Sequence, residues 1–172
     1  MKTTTNKIWI MTILSLTFLM ASLYKCNAQD KRFAIFGYTD PVATYKDGFN
    51  IGGGIEYQMT IVYFKAQAFV FPDLRGKKYI ELTGTPLGFN QHFLNDSFRA
   101  YQGLKLGVII RDCIHPTVGL EAGLEYYFNS YNNGLYLGGG WSYDNRQDGQ
   151  EEDADLEPYW RLSGLFKVGF TF

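Results

Sequence analysis

The chain has 172 residues, with 16 lysines and arginines, 17 acids, two histidines and a formal net charge of −1, and this balance gives no basic surface for nucleic acid. Aromatic residues make up 17% of the chain and glycine is frequent. Beyond the first 28 residues no segment approaches the roughly 20 apolar residues of a spanning helix, so residence of that part in a membrane would require strands.

The first residues have the pattern of a secretory signal peptide. Lys2 and Lys7 precede an almost wholly apolar run at residues 8–23, and small residues lead to a cleavage position after Ala28. Such a segment directs export and is then removed. We therefore predict a signal peptide at residues 1–28.

Two other interpretations of this segment are less well supported. The apolar run is shorter than the roughly 20 residues of a retained membrane anchor. Cys26 suggests a lipoprotein, but Tyr24 and Lys25 stand where lipid-attachment sites have small residues. Cleavage would leave residues 29–172 as one domain with 17 acids, 13 bases and the single cysteine Cys113, which excludes an intramolecular disulfide.

The domain contains eight segments in which apolar residues recur with the period of two that is typical of a strand. They are predicted at residues 31–39, 49–57, 61–71, 78–85, 98–110, 117–128, 135–143 and 159–172. The faces of the first strand are ambiguous. Residues 86–97 are predicted as a long turn, a bulged continuation of strand four or a short helix. Asn133 and Gly134 form the best hairpin signal, because this dipeptide tolerates the positive φ of a type I′ turn.

One face of these strands is apolar, and the other combines glycine with charge. The charged positions are Glu56, Lys65, Glu81, Lys105, Glu121, Glu125, Arg161 and Lys167. Four acids and four bases can neutralise one another inside a closed structure, where an unpaired charge would be very costly. We therefore predict that they form a charge network in the lumen of a β-barrel.

The last strand shows the alternation most clearly. Phe166, Val168, Phe170 and Phe172 share one face, with Lys167 behind them. An apolar final strand with a terminal Phe resembles the C-terminal signal of outer-membrane β-barrel proteins, which in that family is read by the barrel-assembly machinery. The resemblance implies that these four residues are an assembly signal.

Over its whole length the domain resembles the small outer-membrane barrels of the OmpA/OmpX type. This resemblance implies an all-β fold, an eight-stranded antiparallel up-and-down transmembrane β-barrel, in the outer membrane of a Gram-negative bacterium. It also implies contact with outer-membrane lipid and lipopolysaccharide, a monomer, both termini in the periplasm and outward-facing loops at 40–48, 72–77, 111–116 and 144–158.

A soluble lipocalin-like barrel is the alternative, with its apolar face turned inwards around a lipid. Three features favour the membrane: the glycine-rich polar face, its balanced charges, and aromatic residues at strand ends, where interfacial girdles belong. The start of the domain also lacks the Gly-x-Trp sequence that lipocalins usually show.

The chain offers little for catalysis. His92 and His115 fall in segments predicted at opposite membrane faces, so we expect neither a shared metal nor a catalytic dyad. Cys113, in an outer loop, is interpreted as incidental, with a reactive thiol or an intermolecular disulfide as the alternatives. We predict no catalytic, cofactor-binding or metal-binding residues.

An acidic segment connects the last two strands. Its acids are Asp144, Asp148, Glu151, Glu152, Asp153, Asp155 and Glu157. Arg146 at the third position and the absence of flanking helices argue against an EF-hand. We predict a solvated outer loop, with weak divalent-cation binding or attraction of a basic partner as alternatives.

The sequence therefore predicts a membrane barrel with a filled lumen, which is not an enzyme and needs no cofactor. Its role would be structural or interactive, through outer loops and an unknown extracellular partner. A narrow channel for small solutes is the first alternative, and a soluble periplasmic lipid-binding barrel is the second.

Overall fold

The computed structural model describes residues 32–74, 77–111, 113–129, 133–147 and 159–172. The predicted signal peptide and the acids from Asp148 to Glu157 lie outside these ranges. The elements in chain order are β1 (Arg32–Thr39), α1 (Pro41–Asp47), β2 (Ile51–Gln58), β3 (Val62–Leu74), β4 (Lys77–Phe93), β5 (Phe98–Ile110), β6 (Ile114–Tyr127), β7 (Gly134–Arg146) and β8 (Tyr159–Thr171).

Each strand pairs antiparallel with its neighbours in the chain, and β8 pairs with β1 to close the barrel. This confirms the predicted eight-stranded, closed antiparallel barrel. If paired residues are followed from strand to strand around the barrel, starting at Phe170 of β8, the path returns to β8 at Trp160. The strand register is therefore displaced by ten residues over one circuit of the barrel. A stagger of this kind requires the strands to tilt, typically by about 35–45° from the barrel axis.

The two ends of the barrel differ. We call the end where β1 begins and β8 ends the terminal end, and the opposite one the α1 end. At the terminal end, the backbone N–H of Phe172 donates to the carbonyl of Phe33 at 2.8 Å, which extends the closure between β8 and β1.

β4 is longer than predicted and contains a bulge. It continues past residue 85 to Phe93, and its register against β5 shifts between Gly84 and Leu87, on either side of Pro86. Proline cannot donate to a ladder, and a bulge accommodates it. The bulged continuation is therefore the correct alternative, and the turn shrinks to residues 94–97.

The β6–β7 connection is not the two-residue hairpin that Asn133 and Gly134 favour. β6 ends at Tyr127 and β7 begins at Gly134, with six residues between them. Gly134 has a φ of 153° and already pairs with Thr171 of β8. The positive φ that glycine tolerates is thus used at the first residue of β7, and not in a two-residue turn.

The two faces of the wall are chemically opposite. On β8, Val168 and Phe170 are 39% and 42% exposed, whereas Lys167 is 4% exposed. β1, whose faces were ambiguous, turns Ala34 and Phe36 inwards. The barrel is therefore apolar outside and mostly polar inside, with aromatic rings between the inner charges.

A helix replaces most of the polar loop that the sequence predicted at 40–48. Asp40 caps α1, its Oδ1 accepting from the N–H groups of Val42 at 2.9 Å and Ala43 at 3.0 Å, and Pro41 stands in the first turn. Among the residues that the structure describes, no helix has the length and apolar character of a membrane-crossing one.

Candidate functional site: the charged lumen

Ten charged side chains of the described strands point into the lumen, and none is more than 6% exposed. They are the acids Glu56, Glu81, Glu121, Glu125 and Asp144 and the bases Lys65, Arg99, Lys105, Arg146 and Lys167. Each occupies an inward position of its strand, because alternate residues point to opposite faces. These ten charges balance, five against five.

The first cluster lies in the half of the lumen nearer the terminal end. Nη1 of Arg99 lies 2.5 Å from Oε1 of Glu56 and 2.7 Å from Oε2 of Glu125. Nζ of Lys167 reaches the other oxygens of the same carboxylates, at 3.1 Å and 2.5 Å. Two bases thus bridge two acids, and the four residues join β2, β5, β6 and β8.

Neighbouring polar and aromatic groups complete this cluster. Nε of Arg99 donates to Oδ1 of Asn90 at 2.9 Å, and its guanidinium lies 4.8 Å from the ring centroid of Tyr63. Gln58 donates to Glu56 and the Tyr127 hydroxyl donates to Glu125, both at 2.7 Å. Buried ion pairs offset their desolvation only with additional hydrogen bonds of this kind.

A second group surrounds Glu121 at mid-height. Lys65 forms an ion pair with its Oε2, while the hydroxyls of Tyr63 and Thr85 donate to its Oε1 at 2.8 Å and 2.7 Å. Lys65 and Glu121 belong to β3 and β6, which are not neighbours in the wall. This pair therefore spans the lumen.

The third cluster lies nearer the α1 end. Nζ of Lys105 is 2.7 Å from Oε1 of Glu81 and 3.1 Å from Oδ2 of Asp144. Nη1 of Arg146 is 3.4 Å from Oε2 of Glu81. The hydroxyl of Ser142 donates to Asp144 at 2.8 Å, so polar groups of β4, β5 and β7 meet here.

Seven of the eight predicted network residues lie in these three groups: Glu56, Lys65, Glu81, Lys105, Glu121, Glu125 and Lys167. The eighth, Arg161, is half-buried near the α1 end, with its guanidinium 5.9 Å from the ring centroid of Phe71. It lines a small cavity of about 20 Å³, which has room for about one water molecule.

Three network residues were missed, and two of them were assigned wrongly to the outer loop predicted at 144–158. Arg99 was not among the predicted lumen charges, and Arg146 was placed with the acidic outer loop. Asp144 was placed in the acidic outer loop, but it lies within β7, is 2% exposed and pairs with Lys105. β7 runs three residues beyond its predicted end, so the alternation through Ser142 carries Asp144 and Arg146 inwards.

The residues considered for chemistry are dispersed. His92 is buried at the terminal end of β4, where its ring centroid lies 6.2 Å from that of Tyr127. His115 is half-buried near the other end of the barrel, on β6, and Cys113 is exposed beside it. In the described ranges, no three His, Cys, Asp or Glu residues are arranged to hold a metal ion.

The four residues of the predicted assembly signal share the outer face of the last strand. Phe166, Val168, Phe170 and Phe172 are each between 39% and 56% exposed. Their side chains are therefore available on the outside of the barrel, and their role in assembly stays a prediction.

Comparison with known proteins gives a likeness of fold. No protein-family model and no curated protein matches the chain. Neisserial surface protein A (NspA) is similar in structure, with a TM-score of 0.53 and 11% identity over 84% of this chain and 97% of that one. The N-terminal β-barrel domain of Pseudomonas aeruginosa OprF gives a TM-score of 0.48 with 21% identity, over 85% of this chain and 100% of that domain. The likeness to NspA shows a shared barrel fold.

Proposed function

We propose that this protein is an outer-membrane β-barrel of a Gram-negative bacterium, with a filled lumen and a structural or surface-interaction role. The observation that carries the proposal is the inverted distribution of polarity. Large apolar side chains are exposed around the wall, while ten charges are buried inside it. A protein in water would bury the former and expose the latter.

The interior supports a plug more than a solute pathway. An eight-stranded barrel has an interior just wide enough for side chains to fill it. Arg99, Tyr63, Tyr79, Tyr127 and Tyr136 are all no more than 1% exposed within it. Three successive groups of ion pairs cross the same space, so water-filled passage would require several of them to separate.

The same polarity argues against a soluble lipid-binding barrel. Such a barrel needs an apolar interior and enough space for a lipid. Here the lumen contains Glu121, Glu125 and their bases, and the cavity beside Arg161 has a volume of only about 20 Å³. Apolar ligands would meet the outer wall instead.

The partners follow from this placement. Lipid and lipopolysaccharide of the outer membrane would contact the apolar wall, and the assembly machinery would read Phe166, Val168, Phe170 and Phe172. The connections at the α1 end would face the cell exterior. The acids at 148–157, which lie outside the described residues, would then be available to cations or to a basic partner.

Fractionation of the expressing cell, with gel mobility of the detergent-extracted protein before and after boiling, tests the proposal. We expect recovery in the outer membrane and a heat-dependent mobility shift, which marks a closed barrel. Recovery in the soluble periplasm would overturn it. Planar-bilayer recordings, with an open porin as the positive control, then test the filled lumen. Steady single-channel conductance would show that the lumen is a channel and not a plug.

A further inference from the structure

At the α1 end, the wall of the barrel is shorter at β1 and β2 than at the strands on either side of them. β1 ends at Thr39, which pairs with Phe166, and β2 begins at Ile51, whereas β8 continues to Tyr159 and β3 to Leu74. Within the described chain, residues 159–165 of β8 therefore have no strand beside them on the β1 side. α1 occupies this gap.

α1 lies against the outer side of the wall. A Cβ atom on Gly164 would lie 3.4 Å from Cγ2 of Val42 and 3.9 Å from Cδ of Pro41. Gly164 belongs to the outward-facing set of β8, together with Leu162 and Trp160, which follow it towards the α1 end and are 66% and 55% exposed. The apolar outer surface of β8 thus extends further towards the α1 end than the point where the helix begins.

Several polar groups of this connection are paired within it. Besides the Asp40 cap, the side chain of Asn50 accepts from the N–H of Asp40 at 2.8 Å and donates to the Asp40 carbonyl at 3.1 Å and to Thr44 Oγ1 at 2.9 Å. Asn50 is 0% exposed. Irregular backbone in contact with lipid would leave polar groups unpaired, and the Asp40 cap and the Asn50 bonds reduce the number of such groups here.

The outer surface of the connection continues the apolar wall. Val42 is 49% exposed, Tyr45 93% and Phe49 65%, and Ile51 at the start of β2 is 54% exposed. Ala43, on the opposite side of α1, is 2% exposed and packs with the interior rings. Among the side chains that the structure describes here, the connection therefore presents two apolar residues and a tyrosine outwards beside the polar Thr44, a composition suited to the boundary between lipid and water.

We infer that α1 and Phe49 lie in the outer leaflet of the membrane, with Val42 and Tyr45 against lipid, and do not project into the medium. This inference rests on the proposed residence of the barrel in a membrane. It replaces the outward-facing loop predicted at 40–48 with a lipid-binding surface. The continuity of Val42, Tyr45 and Phe49 with the wall identifies lipid as the occupant.

Three single-cysteine proteins, each made as residues 29–172 so that Cys26 is absent, test the inference in phospholipid vesicles. The native Cys113 serves as the exposed control, Leu120→Cys in a Cys113→Ser background as the mid-wall control, and Tyr45→Cys in the same background as the test. Each protein carries an environment-sensitive fluorophore. Emission is measured with iodide in the water and with a nitroxide near the top of the lipid acyl chain.

We expect the lipid nitroxide to quench the label at position 45 about as strongly as the label at position 120, and iodide to quench it several-fold less than the label on Cys113. Iodide quenching at position 45 equal to that at Cys113, with position 120 still quenched by lipid, would overturn the inference and leave the barrel in the membrane. Iodide quenching at position 120 as well would overturn both this inference and the proposed residence of the barrel in a membrane. Val42→Cys provides a second test position if the Tyr45 variant does not fold.

Discussion

Arg99 and Glu125 face each other as register partners on β5 and β6, and their side chains meet inside the lumen, with Nη1 2.7 Å from Oε2. Glu56 and Lys65 are also register partners, on β2 and β3. Yet Lys65 pairs with Glu121 on the far wall, and Glu56 pairs with Arg99 and Lys167. Ion pairs across the lumen therefore tie together strands that share no hydrogen bonds.

Replacing Arg99 should be the most damaging single change in the network. Arg99→Met leaves Glu56 and Glu125 with Lys167 as their remaining base, so we expect a loss of about 3–5 kcal/mol in the free energy of unfolding. Urea unfolding in vesicles, followed by tryptophan fluorescence, measures it. Adding Glu125→Gln should restore part of the loss, and an unchanged urea midpoint for the single variant would contradict the proposed role.

Lys105 should contribute less than Arg99. In Lys105→Met, Glu81 retains Arg146 and Asp144 retains the Ser142 hydroxyl. We therefore expect a loss of about 1.5–3 kcal/mol, the range for hydrogen bonds to charged groups. Lys105→Arg keeps the charge and is the control in the same unfolding assay. Equal losses in the methionine and arginine variants would show that side-chain shape, not charge, matters at this position.

Gly88 should tolerate no side chain, because the Tyr63 ring lies directly against it. We expect Gly88→Ala to lower the free energy of unfolding by about 1–3 kcal/mol through overpacking. Gly37→Ala is the matched control: its new methyl group would meet only the Gly52 carbonyl, at 3.7 Å, an ordinary contact. Comparing the two urea midpoints checks the prediction, which equal midpoints would refute.

Asn50 should hold the β1–β2 connection together. Asn50→Ala removes its bonds to Asp40 and Thr44, and we expect a loss of about 1–3 kcal/mol from the buried groups left without them. Cys113→Ser is the control, since Cys113 is exposed and lies outside this connection, and its loss should leave stability nearly unchanged. Limited proteolysis between β1 and β2 provides a local readout. Faster cleavage in Asn50→Ala alone is the expected result.

Phe172 should affect assembly more than stability. It is 56% exposed at the end of the last strand, so Phe172→Ala should change the free energy of unfolding by less than about 1 kcal/mol. In cells we expect a lower outer-membrane level, measured by immunoblot of membrane fractions. Phe128→Ala is matched, at 55% exposure but outside β8. Equal losses in cells would argue against a terminal signal.

The alternation of faces was predictable because the inside and outside of this barrel are opposite environments. β5 has the predicted bounds, Phe98–Ile110, and Arg99 lies on the same face as Tyr101 and Lys105, so its position followed from the period of two. The bulge near Pro86 was harder to predict. A bulge adds a residue to one strand, which puts the alternation before and after it out of phase.

Asp144 and α1 show where local reasoning was insufficient. Asp144 precedes a run of acids in the sequence, which conceals both the continuation of β7 through it and its pairing with Lys105, 39 residues away. Asp40 and Pro41 fall at the start of the loop predicted at 40–48, directly after the first predicted strand. The same pair is also a helix N-cap followed by a favoured first residue, and the packing of the short helix on β8 was not evident from the sequence.

Lys167 reaches the lumen on the last strand of the chain, and both carboxylates that it binds belong to earlier strands, β2 and β6. Before β8 docks, the cluster of Glu56, Glu125 and Arg99 has one uncompensated negative charge. The strand that supplies the neutralising charge is therefore the same strand that closes the wall against β1. The charge of this cluster is thus balanced only in the complete barrel, and a chain truncated before its last strand would retain the excess negative charge.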